Sequence, residues 1–88
     1  MATLTEATLR AEKYDHKLKA NDTRFSRTVF LCHHDGSTLF FRSAFIMVYE
    51  KNWIICFTEH HGYHVYDVDD LITYRQFVAI DDLQELEQ

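Results

Sequence analysis

The sequence predicts a single small α+β domain, in which an N-terminal helix packs on a four- or five-stranded antiparallel meander sheet and a short C-terminal helix or strand follows. Three observations predict this class. The chain has 88 residues, 47% of them hydrophobic and 15% aromatic, with no proline. A helical apolar pattern comes first, and a long segment rich in β-branched and aromatic residues follows it. A chain of this length has room for one hydrophobic core, so residues 1–88 are expected to form one domain.

A helix is predicted over residues 4–20, and its start carries the clearest signal. Thr3 and Glu6 have the spacing of a capping box, in which two side chains satisfy free N–H groups of the first turn. The polar pair Asn21-Asp22 is expected to end the helix. Apolar residues recur at steps of three and four and therefore lie on one stripe: Leu4, Ala7, Ala11, Tyr14 and Leu18. Because this stripe is narrow, the helix needs another element to lie on.

Residues 25–66 are predicted to form the antiparallel meander, because strand-forming residues alternate there with turn sequences. The first reversal is assigned to Asp35-Gly36 as a two-residue type I′ turn, which places Phe30 opposite Phe41. In this register both faces of the first hairpin are apolar. A single helix cannot cover both faces of a sheet. The second face is therefore covered by the C-terminal element, by the sheet curling into a small barrel, or by another copy of the chain. We expect a homodimer.

The later strands are predicted from apolar runs and the turns between them. Residues 37–49 form a long strand that is expected to bend near Arg42-Ser43 without reversing. Residues 50–52 then turn the chain into residues 53–58, whose continuous apolar run is typical of a central strand. The meander therefore has four strands, with a fifth if the C-terminal element joins the sheet.

Residues 67–88 are predicted to form an acidic C-terminal element. A short helix is expected from Val68 to about Arg75, because Asp67 suits a helix cap and acidic residues suit the first turn. The same stretch is rich in strand formers, so a strand is the alternative. The last residues, 78–88, read as an acidic amphipathic tail.

The charges are unevenly distributed along the chain, whose formal net charge is −5. Residues 10–27 carry six basic and three acidic side chains, whereas residues 59–88 carry eight acidic side chains and one basic side chain. This complementarity can orient a partner or a second copy of the chain. It argues against a nucleic-acid partner, because phosphate binding needs a coherent positive face and the basic set is short and mixed with acids.

Two further features bear on the compartment. Cys32 and Cys56 have neither metal-site spacing nor the density of a disulfide scaffold, so reduced, buried thiols are expected. The N-terminal residues lack the apolar run of a signal peptide, and no run approaches the roughly 18 residues that cross a bilayer. These observations favour a cytoplasmic protein without membrane attachment.

The stretch "TEHHGYHVY", residues 58–66, raises the question of a metal site. A two-residue turn at His61-Gly62 places Glu59 opposite His64. A meander brings the first and third reversals to the same end of the sheet, so His33 lies at that end too. The candidate zinc ligands are Glu59, His61, His64 and His33. Neighbouring residues of a strand point to opposite faces, which limits convergence, and histidines at strand ends also serve as plain amphipathic residues.

The sequence favours a non-enzymatic function. It contains no phosphate-binding loop, dinucleotide fingerprint, zinc-protease motif or nucleophile elbow, and only two glycines. An excess of aromatic residues is typical of protein interfaces. We therefore predict a protein-binding or regulatory module that self-associates and acts through an aromatic-rich sheet surface, without a cofactor. The candidate binding residues are Tyr49, Trp53, Tyr63 and Tyr66. The alternative is a histidine-rich metal-binding or pH-responsive protein that uses the hairpin tips.

Overall fold

The computed structural model describes residues 2–77, and the predicted acidic tail of residues 78–88 lies outside the described residues. The α+β class is confirmed, since one helix and two three-stranded antiparallel sheets make up this part of the chain. The elements are α1 (Leu4–Asp15), β1 (Thr28–His33), β2 (Thr38–Arg42), β3 (Ala44–Tyr49), β4 (Trp53–Thr58), β5 (Tyr63–Asp67) and β6 (Leu71–Phe77).

Helix α1 begins as predicted and ends earlier than predicted. The capping box is present: the Glu6 N–H donates to Thr3 Oγ1 at 3.2 Å, and the Thr3 N–H donates to Glu6 Oε1 at 3.4 Å. The predicted extension to residue 20 is wrong, because the helix ends at Asp15. The chain then turns back toward the sheet through a short 3₁₀ turn at Thr23–Ser26, and Leu18 still packs on the core as the stripe predicted.

The prediction of a single four- or five-stranded meander sheet is wrong, because the strands form two three-stranded antiparallel sheets. Sheet 1 has the strand order β2-β1-β6 and sheet 2 has the order β3-β4-β5. The predicted single strand over residues 37–49 is wrong, because the segment is divided into β2 and β3, which belong to different sheets. The division occurs where a bend was expected, at Ser43, whose φ is 55°. A second corner, the 3₁₀ turn Val68–Asp70, leads from β5 into β6, which pairs with β1.

The C-terminal prediction of a short helix is wrong, and the alternative strand is observed. Helical structure after β5 is limited to the 3₁₀ turn Val68–Asp70, which Asp67 caps by accepting the Asp69 N–H at 2.9 Å. The chain then continues as β6. The acidic cap that suggested a helix therefore starts a single turn, and pairing with β1 determines the conformation that follows.

The core has two layers, one on each side of sheet 2. Between the two sheets lie Val29, Leu31, Ala44, Ile54, Cys56 and Leu71. Between sheet 2 and the helix lie Ala11, Phe25, Phe45, Ile55 and Phe57. Strand β4 supplies residues to both layers, which confirms its prediction as a central strand. The face of sheet 1 that is turned away from sheet 2 is called the far face below.

The first hairpin is one residue out of the predicted register. Leu31 pairs with Leu39, and the loop has three residues, 34–36, because the His33 N–H donates to the Ser37 carbonyl at 2.8 Å. Gly36, with a φ of 89°, takes the left-handed position that follows a type I turn in three-residue loops. A one-residue shift moves every side chain of a strand to the other face. The predicted pairing of Phe30 with Phe41 is therefore wrong.

The second histidine-rich hairpin shows the same kind of difference. The Thr58 N–H donates to the Gly62 carbonyl at 2.8 Å, so the loop consists of residues 59–61 instead of a two-residue turn. His64 consequently pairs with Cys56, and the predicted pairing of Glu59 with His64 is wrong. The His64 side chain lies on the side of sheet 2 that faces sheet 1, where its ring stacks on Phe41 at a centroid distance of 5.0 Å.

Candidate functional site

The far face of sheet 1 carries an aromatic pair, of which Phe40 is exposed and Phe30 is half-buried. Phe30 on β1 and Phe40 on β2 are direct cross-strand partners, and their ring centroids lie 4.9 Å apart. Phe40 remains 59% exposed, although burying such a ring typically stabilises a protein by about 1.5–3 kcal/mol. The pair is therefore an apolar feature that the fold of residues 2–77 leaves open to solvent.

The charges on this face are positive. Arg42 on β2 and Arg75 on β6 are both exposed, and the strand register places them on the same side as the aromatic pair. Phe30 has Phe40 as its neighbour on β2 and Arg75 as its neighbour on β6. Two aromatic residues and one cation therefore form a row across the three strands. The face therefore combines an apolar centre with cationic ends.

Strand β2 also presents unpaired backbone groups. In an antiparallel pair, hydrogen-bonded and non-hydrogen-bonded residue pairs alternate. The bond from the His33 N–H to the Ser37 carbonyl sets this alternation, so Leu39 and Phe41 bond to β1. The backbone groups of Thr38, Phe40 and Arg42 therefore point to the other side, where sheet 1 has no further strand within residues 2–77. We call this side the open edge of β2.

The four aromatic residues predicted to bind a partner do not share one surface. Tyr49, Trp53 and Tyr63 lie on the helix side of sheet 2, and Tyr66 packs on the core between the sheets. The Arg10 guanidinium lies 6.0 Å from the centre of the Tyr49 ring. The Trp53 indole N–H donates to the Ala2 carbonyl at 2.8 Å. All four are partly buried, and their role in binding stays a prediction.

The aromatic pair of Phe30 and Phe40 was not predicted from the sequence, because the predicted register of the first hairpin was wrong by one residue. A two-residue turn assigns Phe30 and Phe40 to opposite faces of the hairpin, whereas the three-residue loop assigns them to the same face. The signal that could have found the pair is Gly36, since glycine at the third loop position is typical of this longer loop.

The residues predicted as zinc ligands are brought together only in part. The rings of His33 and His64 both lie near the Tyr66 ring, at centroid distances of 5.7 and 6.5 Å. Glu59 and His61 belong to the hairpin loop, where the His61 N–H donates to Thr58 Oγ1 at 2.8 Å. Within residues 2–77, no three His, Cys, Asp or Glu side chains are placed to hold an ion.

No family model matches the sequence, and comparisons with curated proteins and with solved structures return no significant match. The helix found within residues 2–77 lacks the length and apolar character that a membrane span requires.

The interior between the sheets contains titratable groups whose ionisation is suppressed. Burial raises the pKa of the Cys56 thiol to about 12, so this thiol is protonated at neutral pH. Burial, with a smaller contribution from Cys56, also raises the pKa of Tyr66. Cys32 and Cys56 are both free thiols, but Cys32 is only half-buried, which differs from the expectation that both are buried.

Proposed function

We propose that this chain is a non-enzymatic protein-binding module, that it acts through the far face and the open edge of β2, and that a second copy of the chain is a partner. The observation that carries the proposal is Phe40. Its ring is 59% exposed and packs against the Phe30 ring in a tilted arrangement, in a strand whose outer backbone groups have no strand partner within residues 2–77. Exposed edges of this kind are ready templates for another strand.

The sequence of β2 supports pairing with itself. A two-fold interface brings the same patch of both copies together, so the patch must complement itself. Antiparallel pairing of two β2 strands centred on Phe40 places the two Phe40 residues opposite each other and places Thr38 opposite Arg42. Aromatic cross-strand pairs contribute about 0.2–1 kcal/mol each, and no like charges stand directly opposite in this register.

The size of the contact sets the expected affinity. One short strand pair with a small aromatic patch buries less surface than a standard stable interface of about 1,600 Å². We therefore expect association with a dissociation constant in the micromolar range, about −8 kcal/mol at 1 M standard state. An interface of this strength is reversible, which suits a regulatory module.

Sedimentation velocity of three proteins tests the proposal. The wild-type chain is expected to form dimers at micromolar concentration. Phe40→Ser should weaken association at least about tenfold, because it removes the aromatic contact at the centre of the interface. Leu9→Ser is the matched control, because Leu9 is 60% exposed but lies on the helix. A wild-type chain that stays monomeric to about 100 µM, or equal effects of both substitutions, would contradict the proposal.

A further inference from the structure

A cleft of about 320 Å³ lies at the open edge of β5, away from the aromatic pair of the far face. Strand β5 is an edge strand of sheet 2, so one of its sides has no strand neighbour within residues 2–77. The start of the helix, at Leu4, and the start of β4, at Trp53, contribute to the lining. His33 and Asp70 complete it. Its volume falls at the lower end of the range for small-ligand sites.

The side chains that line the cleft favour a cation. Two of them, Asp67 and Asp70, are carboxylates, and the lining residues within the described range 2–77 include neither lysine nor arginine. Asp67 uses one carboxylate oxygen, Oδ1, to accept the Asp69 N–H at 2.9 Å, which leaves its second oxygen available. Trp53 and Tyr66, whose side chains lie on opposite sides of sheet 2, are also among the lining residues. Carboxylates beside aromatic rings are the combination that attracts guanidinium and ammonium groups.

Backbone acceptors add to this chemistry. The bond from the Thr58 N–H to the Gly62 carbonyl sets the alternation of hydrogen bonds between β4 and β5. In this alternation the backbone groups of Val65 and Asp67 point to the open edge, and both residues line the cleft. His33 Nδ1 is also buried without a hydrogen-bond partner in the described part of the chain.

We infer that the cleft binds the side chain of an arginine presented by a partner protein. A guanidinium is planar and carries five donors, so it can bond a carboxylate and a backbone carbonyl while stacking on an aromatic ring. The Asp67 carboxylate, Asp70 and the Val65 carbonyl are the acceptors, and Trp53 is the stacking surface. This site is separate from the open edge of β2 and does not depend on self-association.

A ligand titration followed by NMR tests the site. The probe is Nα-acetyl-arginine amide, and the control is Nα-acetyl-citrulline amide, which has nearly the same shape but no charge. Trp53 is the single tryptophan of the chain, so its indole N–H gives one signal within the cleft. We expect saturable shifts of this indole signal and of the Asp67 and Asp70 amides with the arginine compound only. Equal shifts with citrulline, or shifts that do not saturate, would overturn the inference.

Three substitutions locate the interaction. Asp70→Asn and Asp67→Asn should each weaken arginine binding about fivefold or more, because each removes a charge-assisted hydrogen bond. Asn also caps 3₁₀ and helical turns, so Asp67→Asn keeps the local fold. Asp69→Asn is the matched control, since Asp69 is a neighbouring exposed carboxylate that does not line the cleft. It should change binding by less than about twofold, as exposed charges contribute little. An Asp69 effect as large as that of Asp70 would overturn the inference.

Discussion

At the scale of single residues, Arg24 joins the end of the helix to sheet 2. Its guanidinium donates to both carboxylate oxygens of Asp22, through Nε at 3.0 Å and Nη2 at 2.9 Å. It also donates to the Tyr14 hydroxyl at 2.8 Å and lies 4.4 Å from the centre of the Phe45 ring. A planar guanidinium can make these contacts together, whereas a lysine could not. No sequence pattern marks this role, because the partners lie on three different elements.

The Asp22 carboxylate makes the stability depend on pH. Hydrogen bonds from Arg24 lower the pKa of Asp22 from 3.8 to about 2. A group whose pKa is lowered by folding stabilises the fold above its ordinary pKa, and this stabilisation is lost as pH falls through the folded value. Urea unfolding between pH 5 and pH 2 should therefore show a smaller loss of stability in Asp22→Asn than in the wild type. Identical pH profiles would show that the Arg24 contact has no energetic weight.

At the scale of elements, the two glycine loops decide which side chains reach the site. Gly36 and Gly62 both have positive φ, 89° and 72°. Gly36 is the third residue of the loop 34–36, whereas Gly62 directly follows the loop 59–61. The sequence shows that a glycine turn is present, but it does not show whether the glycine is the second residue of a short loop or ends a longer one. The register differs from the prediction by one residue in the first hairpin, which places Phe40 on the far face. It differs by three residues in the second hairpin, which places His64 on the side of sheet 2 that faces sheet 1.

Gly36→Val tests the loop that sets the register of the first hairpin. A Cβ at Gly36 would meet no atom within 4 Å, so the expected effect comes from the backbone alone. A β-branched residue at this φ is strained, and we expect a loss of about 1–3 kcal/mol in the free energy of unfolding. Gly36→Asn is the control, because asparagine tolerates the left-handed region better, and it should lose less. Equal melting temperatures for the wild type and Gly36→Val would contradict this account.

Much of the fold could be predicted from the sequence, because the relevant signals are local. The capping box of Thr3 and Glu6, the central strand β4 and the bend before Ser43 all follow from neighbouring residues. Strand β6 could not be predicted in the same way. Its backbone partners lie on β1, about 40 residues earlier, and such long-range pairing overrides local preference.

The sequence predicted the type of candidate site, but it did not predict the residues that form it. An aromatic-rich sheet surface was expected, but the residues chosen for it lie under the helix or between the sheets. Tyr63 and Tyr66 stand on opposite sides of β5, and only the pairing of the two sheets determines which sides are covered. The far face can be identified only from the register of β2 and the position of sheet 2.

At the scale of the whole molecule, the residues that stabilise the fold lie in the two core layers, and the surfaces proposed for binding lie at its outside. The helix covers one side of sheet 2, and sheet 1 covers the other, so both core layers enclose β4. The far face of sheet 1 and the cleft at β5 lie outside these layers. Arg42 and Arg75 make the far face cationic, whereas Asp67 and Asp70 make the cleft anionic. The small domain therefore presents two surfaces of opposite charge.

Amide hydrogen exchange at several protein concentrations tests the central proposal most directly, because it reports on the backbone groups that the dimer would pair. If two β2 strands pair, the amides of Thr38, Phe40 and Arg42 become protected from exchange as the protein concentration rises through the micromolar range. The amides of Val65 and Asp67, on the open edge of β5, should not change and serve as the internal control. Exchange at Thr38, Phe40 and Arg42 that stays fast at every concentration would contradict pairing through β2.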